Sequence, residues 1–173
     1  PARGGSKSIK NKNIVNLFGM PLIFWPIKAA KKSKLIDTIL VSTDNKEIAN
    51  LAKEYGAEVH FLRKKSLSQD NSTTEETLQN ALLTYEEKNK IKYDLCVFLT
   101  CTDIFRDYRW IDKAIKILKN NKEYESVFSV NSTHKNYWKY IKDGRAIRID
   151  SSMKQYSTRQ NKEMIFREDT GLT

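Results

Sequence analysis

Asp94-Leu95-Cys96-Val97-Phe98-Leu99-Thr100 is apolar at every position between its polar ends. Such a run is too short for a buried helix and shows no polar alternation. It reads as a strand covered on both faces, which is the mark of a parallel sheet sandwiched by helices. Before it, residues 72–89 place Leu78, Ala81, Leu82 and Tyr85 at helical spacing, and after it residues 111–121 are helical again. Further out, residues 36–44 form a β-rich apolar run ending in Ser42-Thr43-Asp44. Residues 45–56 follow as a helix with Ile48, Leu51, Ala52 and Tyr55 on one face and Gly56 as its stop. Residues 58–62 and 125–130 are two further strand candidates. Residues 22–30 are helical, with Pro21 suited to the first turn and Pro26 marking either a kink or a later start.

Strand and helix therefore alternate, which predicts an α/β fold with a mostly parallel sheet and helices on both faces. From about residue 133 the pattern loosens into a small β excursion around an Asp143-Gly144 turn. Residues 1–173 are expected to form a single domain.

Hydrophobic residues make up 39% of the chain and charged ones 30%, a balance that suits a globular protein with a core of its own. No apolar run approaches the roughly 20 residues needed to span a bilayer, and no signal peptide stands out, so a cytoplasmic location is expected. Cys96 and Cys101 are too few for a disulfide framework. The formal net charge is +10, but much of it lies in lysines spread along amphipathic helices, such as Lys113, Lys116 and Lys119. No zinc-finger spacing, aromatic RNA-binding signature or continuous basic helix accompanies it. The charge points to small anions rather than to nucleic acid or membrane.

The opening stretch, Pro1 to Asn13, concentrates that charge in Arg3, Lys7, Lys10 and Lys12 around Gly4 and Gly5, with no acid. Glycines let backbone N–H groups converge on phosphate oxygens, while lysine and arginine neutralise them. Neither the GxxxxGK[ST] nor the GxGxxG pattern is present. Taken alone, the stretch is either an anion loop or a flexible entry to the first helix. A glycine-rich anion loop normally follows a buried strand, and Gly171-Leu172-Thr173 is not preceded by a closing helix. The domain is accordingly expected to lack its first strand and its C-terminal part.

The run Pro1-Ala2-Arg3-Gly4-Gly5-Ser6-Lys7, with Lys12-Asn13 and Gly19-Met20-Pro21-Leu22-Ile23, resembles the opening of the CMP-sialic acid synthetases, or acylneuraminate cytidylyltransferases. The likeness continues through Val41-Ser42-Thr43-Asp44, Tyr55-Gly56-Ala57-Glu58-Val59, Leu62-Arg63 and Gln69-Asp70, and returns weakly at Arg159-Gln160 and Phe166-Arg167. The resemblance implies a Rossmann-like sheet. It also implies a CTP- and magnesium-dependent enzyme that activates an acidic sugar as its CMP ester, releasing pyrophosphate. Under it Arg3, Lys7 and Lys12 would serve catalysis at the phosphates. Ala2, Gly4, Gly5, Ser6, Asn13 and Arg63 would bind the nucleotide, with Asn13 on the cytosine. Arg159 and Arg167 would lie near the triphosphate and the second substrate. A homodimer is implied as well.

The segment facing the second substrate departs from the family. Where the family reads LQPTSPLR, this chain has Leu99-Thr100-Cys101-Thr102-Asp103-Ile104-Phe105-Arg106. Thr100 replaces a glutamine and Asp103 a serine, while Thr102 and Arg106 are kept. Asp103 either faces the substrate, pairs with Arg106 or caps the next helix. Arg167-Glu168-Asp169-Thr170-Gly171 departs too. The nucleotide side is thus retained and the acceptor side altered, which favours another nonulosonic acid, an octulosonic acid or a phosphonate. An alternative is a nucleotide-binding domain that is inactive or regulatory. No metal ligands are assigned, since the family's acidic motif lies outside this stretch. His60 and His134 read as structural or exposed, and Cys96 as buried packing.

Overall fold

In a computed structural model of the protein, residues 1–6, 9–69, 72–149 and 164–168 are described. They divide into two compact units, one spanning Pro1–Phe128 and the other Ser129–Asp169.

Among its described residues the first unit carries four α-helices, each started or stopped by local chemistry. Helix α1 (Phe24–Lys32) contains Pro26 in its first turn, where no backbone N–H is needed, so the helix is not kinked there. Pro21 belongs instead to a two-residue hairpin, β1 (Asn16–Leu17) against β2 (Met20–Pro21). Phe18 and Gly19 at its tip both have positive φ, and Asn16 Oδ1 accepts the Gly19 N–H at 3.0 Å. Helix α2 (Lys46–Glu54) starts under Asn45, whose side chain accepts the N–H groups of Glu47 and Ile48. It stops in a Schellman turn: the Gly56 N–H reaches Lys53 and the Ala57 N–H reaches Ala52, with Gly56 at φ +91°. Helix α3 (Thr74–Asn89) opens with a capping box between Thr73 and Glu76. Helix α4 (Tyr108–Asn120) is capped by Asp107.

Apolar faces of these helices build two cores. Ile23 just before α1, Ile27 of α1 and Ile48 and Ala52 of α2 pack with Val41 and Val59. Ala29 packs with Ile111 and Ile115 of α4, beside Leu35, Leu95 and Val97. Ser33 Oγ donates to the Asp112 carboxylate and locks the end of α1 to α4.

Residues 36–44 and 58–62, both predicted as strands, run parallel. Leu40 bridges Glu58 and Thr43 bridges Leu62. The bonds Val41 N–H to Glu58 O, Glu58 N–H to Ile39 O and Arg63 N–H to Thr43 O form that ladder. Residues 94–100 lie where a further strand is predicted, but among the described residues the 94–99 backbone makes no ladder bond. The predicted packing of Cys96 also differs: it is exposed, because its side of the segment faces an open groove.

In the second unit β3 (Val130–Thr133) pairs antiparallel with β6 (Ile165–Glu168), so the strand expected over 125–130 begins only at its last residue. β4 (Trp138–Tyr140) and β5 (Ala146–Arg148) form the hairpin predicted around Asp143-Gly144.

Candidate functional site

The opening loop lies at the end of the parallel ladder. The Ala2 N–H donates to Ser42 O at 2.8 Å and the Gly4 N–H donates to Asp44 Oδ1 at 2.8 Å, so the loop is strapped across the Ser42–Asp44 strand end. A Cβ on Gly4 would come within 2.9 Å of the Asn45 side chain, which explains a glycine there. Gly5 is exposed, and a Cβ added there would meet no atom within 4 Å. Asn13 is buried; its Nδ2 donates to the Arg3 carbonyl at 2.9 Å and its own carbonyl accepts the Ile23 N–H. The turn at Lys12–Ile14 is thereby tied back to the loop and forward to α1.

Beneath the loop is an open cleft of about 470 Å³. Arg3, Ser6, Lys12, Asn13 and Arg63 line it from one side, and Thr100, Cys101 and Thr102 from another. The third wall went unnoticed in the sequence: Ser68, Gln69, Ser72, Thr73, Thr74 and Thr77, around the start of α3. Its signal was legible, because Thr73 and Glu76 form the TxxE spacing that marks a helix start, and a helix start favours anions. Three of the lining side chains are cationic, and none of those described is acidic.

Arg63 is the buried member of this set. Its Nε donates to Ser68 Oγ at 3.0 Å, which aims the guanidinium between the two walls. Desolvation pushes its pKa below the usual arginine value, partly offset by Asp44. A cation held in a partly dry wall, with its nearest acid engaged elsewhere, is poised for an anionic ligand.

The altered segment behaves differently on its two sides. Thr100 and Thr102 reach the cleft, whereas Asp103 and Arg106 are not among its lining residues. The Arg106 side chain is 1% exposed and donates to the Thr100 carbonyl at 3.2 Å, with Asp103 Oδ2 at 3.6 Å. Of the three readings of Asp103, pairing with Arg106 is the one observed; the helix cap is Asp107. Arg106 thus shapes the 100–106 turn from behind. Arg167 lies on β6 of the second unit, exposed and opposite Asn131. Lys7, Asp70 and Arg159 fall outside the described residues.

His60 bonds Glu58 Oε2 at 2.6 Å and stacks edge-on against Tyr85, a structural role. Among the described residues no group of three His, Cys, Asp or Glu side chains could hold a metal ion, and no helix is long and apolar enough to cross a membrane. The residues described do not by themselves build a magnesium site.

Comparison with known proteins bears on the family and the fold. The chain is 35% identical over 162 residues to the post-translational flagellin modification protein B of Campylobacter coli, covering 92% of this chain and 68% of that protein. It is 39% identical over 109 residues to a pseudaminic acid cytidylyltransferase of Campylobacter jejuni, covering 62% of this chain and 47% of the relative. The chain thus spans about two thirds of the first relative and under half of the second. A solved CMP:2-keto-3-deoxy-manno-octonic acid synthetase complexed with CTP shares the fold. Its TM-score is 0.57 at 16% identity, over 71% of this chain and 46% of that one. The Rossmann-like α/β architecture expected from the alternation of elements is therefore the fold of this protein. Residues 1–172 match the model of the cytidylyltransferase family, and the chain belongs to that family.

Proposed function

We propose that the protein transfers the cytidylyl group of CTP, taken with magnesium, to an acidic sugar of the nonulosonic class or a related acid, releasing pyrophosphate. The observation that carries this reading is the cleft, whose described lining includes three cationic side chains and no acid. Arg3, Ser6, Lys12, Asn13 and Arg63, drawn from two distant parts of the sequence, share it with Thr100 and Thr102.

In this reading the loop holds the triphosphate and Arg63, with the α3 start, completes the nucleotide side. Attack by an acceptor oxygen on the α-phosphorus forms the new P–O bond and breaks the bond to pyrophosphate. Negative charge then gathers on the phosphoryl oxygens and the leaving group. Arg3 and Lys12, held beside the strapped loop, stabilise that charge more than they stabilise the ground state; Lys7 is assigned the same task. Ala2, Gly4 and Gly5 contribute backbone rather than side chains. Magnesium accompanies the triphosphate, an arrangement that needs only one or two protein carboxylates. No step is assigned to a protein-held metal.

Thr100 and Thr102 face the acceptor, Asp103 and Arg106 set their turn, and Arg159 and Arg167 are assigned to the acceptor side by resemblance. Two threonine hydroxyls offer short, adaptable hydrogen bonds, which suits a polyhydroxylated acid.

The test is pyrophosphate release from CTP and magnesium by the full-length gene product. It is run against sialic, legionaminic, pseudaminic and octulosonic acids and simple phosphonates. Release with one acid names the acceptor. CTP binding with no release across the panel would reject the enzymatic reading in favour of a nucleotide-binding domain.

A further inference from the structure

Arg63 is fixed by its backbone at the end of the parallel ladder, where its N–H donates to Thr43 O at 2.7 Å. The residue is buried, yet it lines the cleft. Two charges contest where its guanidinium lies. Burial lowers its pKa most, Asp44 raises it and Arg3 lowers it again, so an acid attracts the group while a second cation repels it. Asp44 accepts the Gly4 N–H and is not among the lining residues of the cleft, whereas Arg3 is. Left to these two charges, the guanidinium would turn toward Asp44 and out of the cleft.

A neutral side chain opposes that turn. Arg63 Nε donates to Ser68 Oγ at 3.0 Å, and Ser68 Oγ donates in turn to the Lys64 carbonyl at 3.2 Å. A hydroxyl has one proton and arginine can only donate, so the direction of both bonds is settled. Ser68 ends the short 3-10 turn Lys65–Ser68, which is tied to the approach to α3: Ser72 Oγ donates to the Ser66 carbonyl at 2.9 Å. The serine is half-buried and held from both sides along the chain.

A guanidinium offers an anion two forked edges, side-on through Nε and one Nη or end-on through both Nη groups. In Arg63 the first is taken, because Nε is committed to Ser68. Among the described residues neither Nη has a hydrogen-bond partner.

We infer that Ser68 is a positioning residue for the nucleotide: it closes the side-on edge of Arg63 and presents Nη1 and Nη2 together to two acceptor atoms of the ligand. The inference rests on the reading of the cleft as the CTP site. Its test is therefore built to fail separately from that reading.

The full-length gene product is compared as wild type, Ser68→Ala and Ser68→Thr. The first measurement needs no ligand: solvent exchange of the Arg63 Nε proton, followed by NMR and assigned by its loss in Arg63→Met. Exchange should be slow in the wild type and in Ser68→Thr, which keeps the hydroxyl, and roughly 3- to 10-fold faster in Ser68→Ala. The second is calorimetric titration with CTP. Ser68→Ala should bind roughly 3- to 10-fold more weakly and Ser68→Thr like the wild type. Added to Arg63→Met, the same alanine should change CTP affinity no further.

A serine that only braced the turn would weaken CTP binding with or without the guanidinium, and that result would overturn the proposal. Exchange of the wild-type Nε proton at the rate of free arginine would overturn it as well, even if Ser68→Ala did not fold. A wild-type protein that bound no CTP would refute the nucleotide reading, and the Nε proton alone would then decide whether Ser68 holds Arg63.

Discussion

Asn13 Nδ2 donates to the Arg3 carbonyl at 2.9 Å, and through that bond the turn following the opening loop holds the loop in place. The side chain is buried, so neither partner can exchange this bond freely for water. Asn13→Leu should therefore cost roughly 1–3 kcal/mol, since it leaves the Arg3 carbonyl without this donor. Urea unfolding measures the loss, and CTP affinity should fall with it. Unchanged stability would show that the loop is held by the Ala2 and Gly4 bonds alone.

Arg63 offers a sharper test of the nucleotide side. Arg63→Met keeps much of the stem and removes the guanidinium, so CTP affinity should drop about 10- to 100-fold, the worth of a charge-assisted hydrogen bond. Arg63→Lys should recover only part of this, because a single ammonium cannot both bond Ser68 Oγ and present a planar fork. Titration calorimetry of the three proteins with CTP would rank them. Equal affinities would remove Arg63 from the site.

Arg106 is predicted to act on stability more than on nucleotide binding. Its side chain is buried against Thr100 and Asp103. Arg106→Ala leaves Asp103 without its ion pair and should cost about 3 kcal/mol. Asp103→Asn keeps a hydrogen-bonding group and should cost less. Thermal melts give the order, and a larger loss for Asp103→Asn would contradict it.

Glu86 gives the pH dependence. Its buried carboxylate accepts hydrogen bonds from Lys92 Nζ at 2.7 Å and from the Tyr93 N–H at 2.9 Å. The Lys92 bond, then the Tyr93 bond, hold its pKa below the usual glutamate value. A folded-state pKa below the unfolded one means that the contribution is full above the unfolded pKa and is lost as pH falls through the folded one. Glu86→Gln should thus lower the melting temperature at neutral pH. The gap from wild type should close as pH drops below the ordinary carboxylate range. A gap constant down to that range would mean that packing, not charge, is at stake.

Much of the local structure was legible because its causes are local. Gly56 stops α2 as expected, since the left-handed turn after a helix favours a residue without a Cβ. The Thr73–Glu76 spacing announces α3, and the Asp143-Gly144 pair announces the β4–β5 turn. The strand over 94–100 was legible only as an apolar run. A ladder is a property of two segments, and among the described residues none bonds the 94–99 backbone. For the same reason Cys96, placed in a core by its type, is exposed to the groove.

Sequence by itself determined the helices, their caps, the alternation that makes the fold α/β, and the cationic glycine loop. Each depends on side chains within a few residues of one another. Tertiary structure alone decided that the serines and threonines around the start of α3 share the cleft with the loop and Arg63. It alone turned Arg106 inward, away from the position a conserved-looking arginine suggested. Those placements arise from how the parallel strands and helices pack, which brings distant segments to one strand end and lets burial decide which charges stay paired.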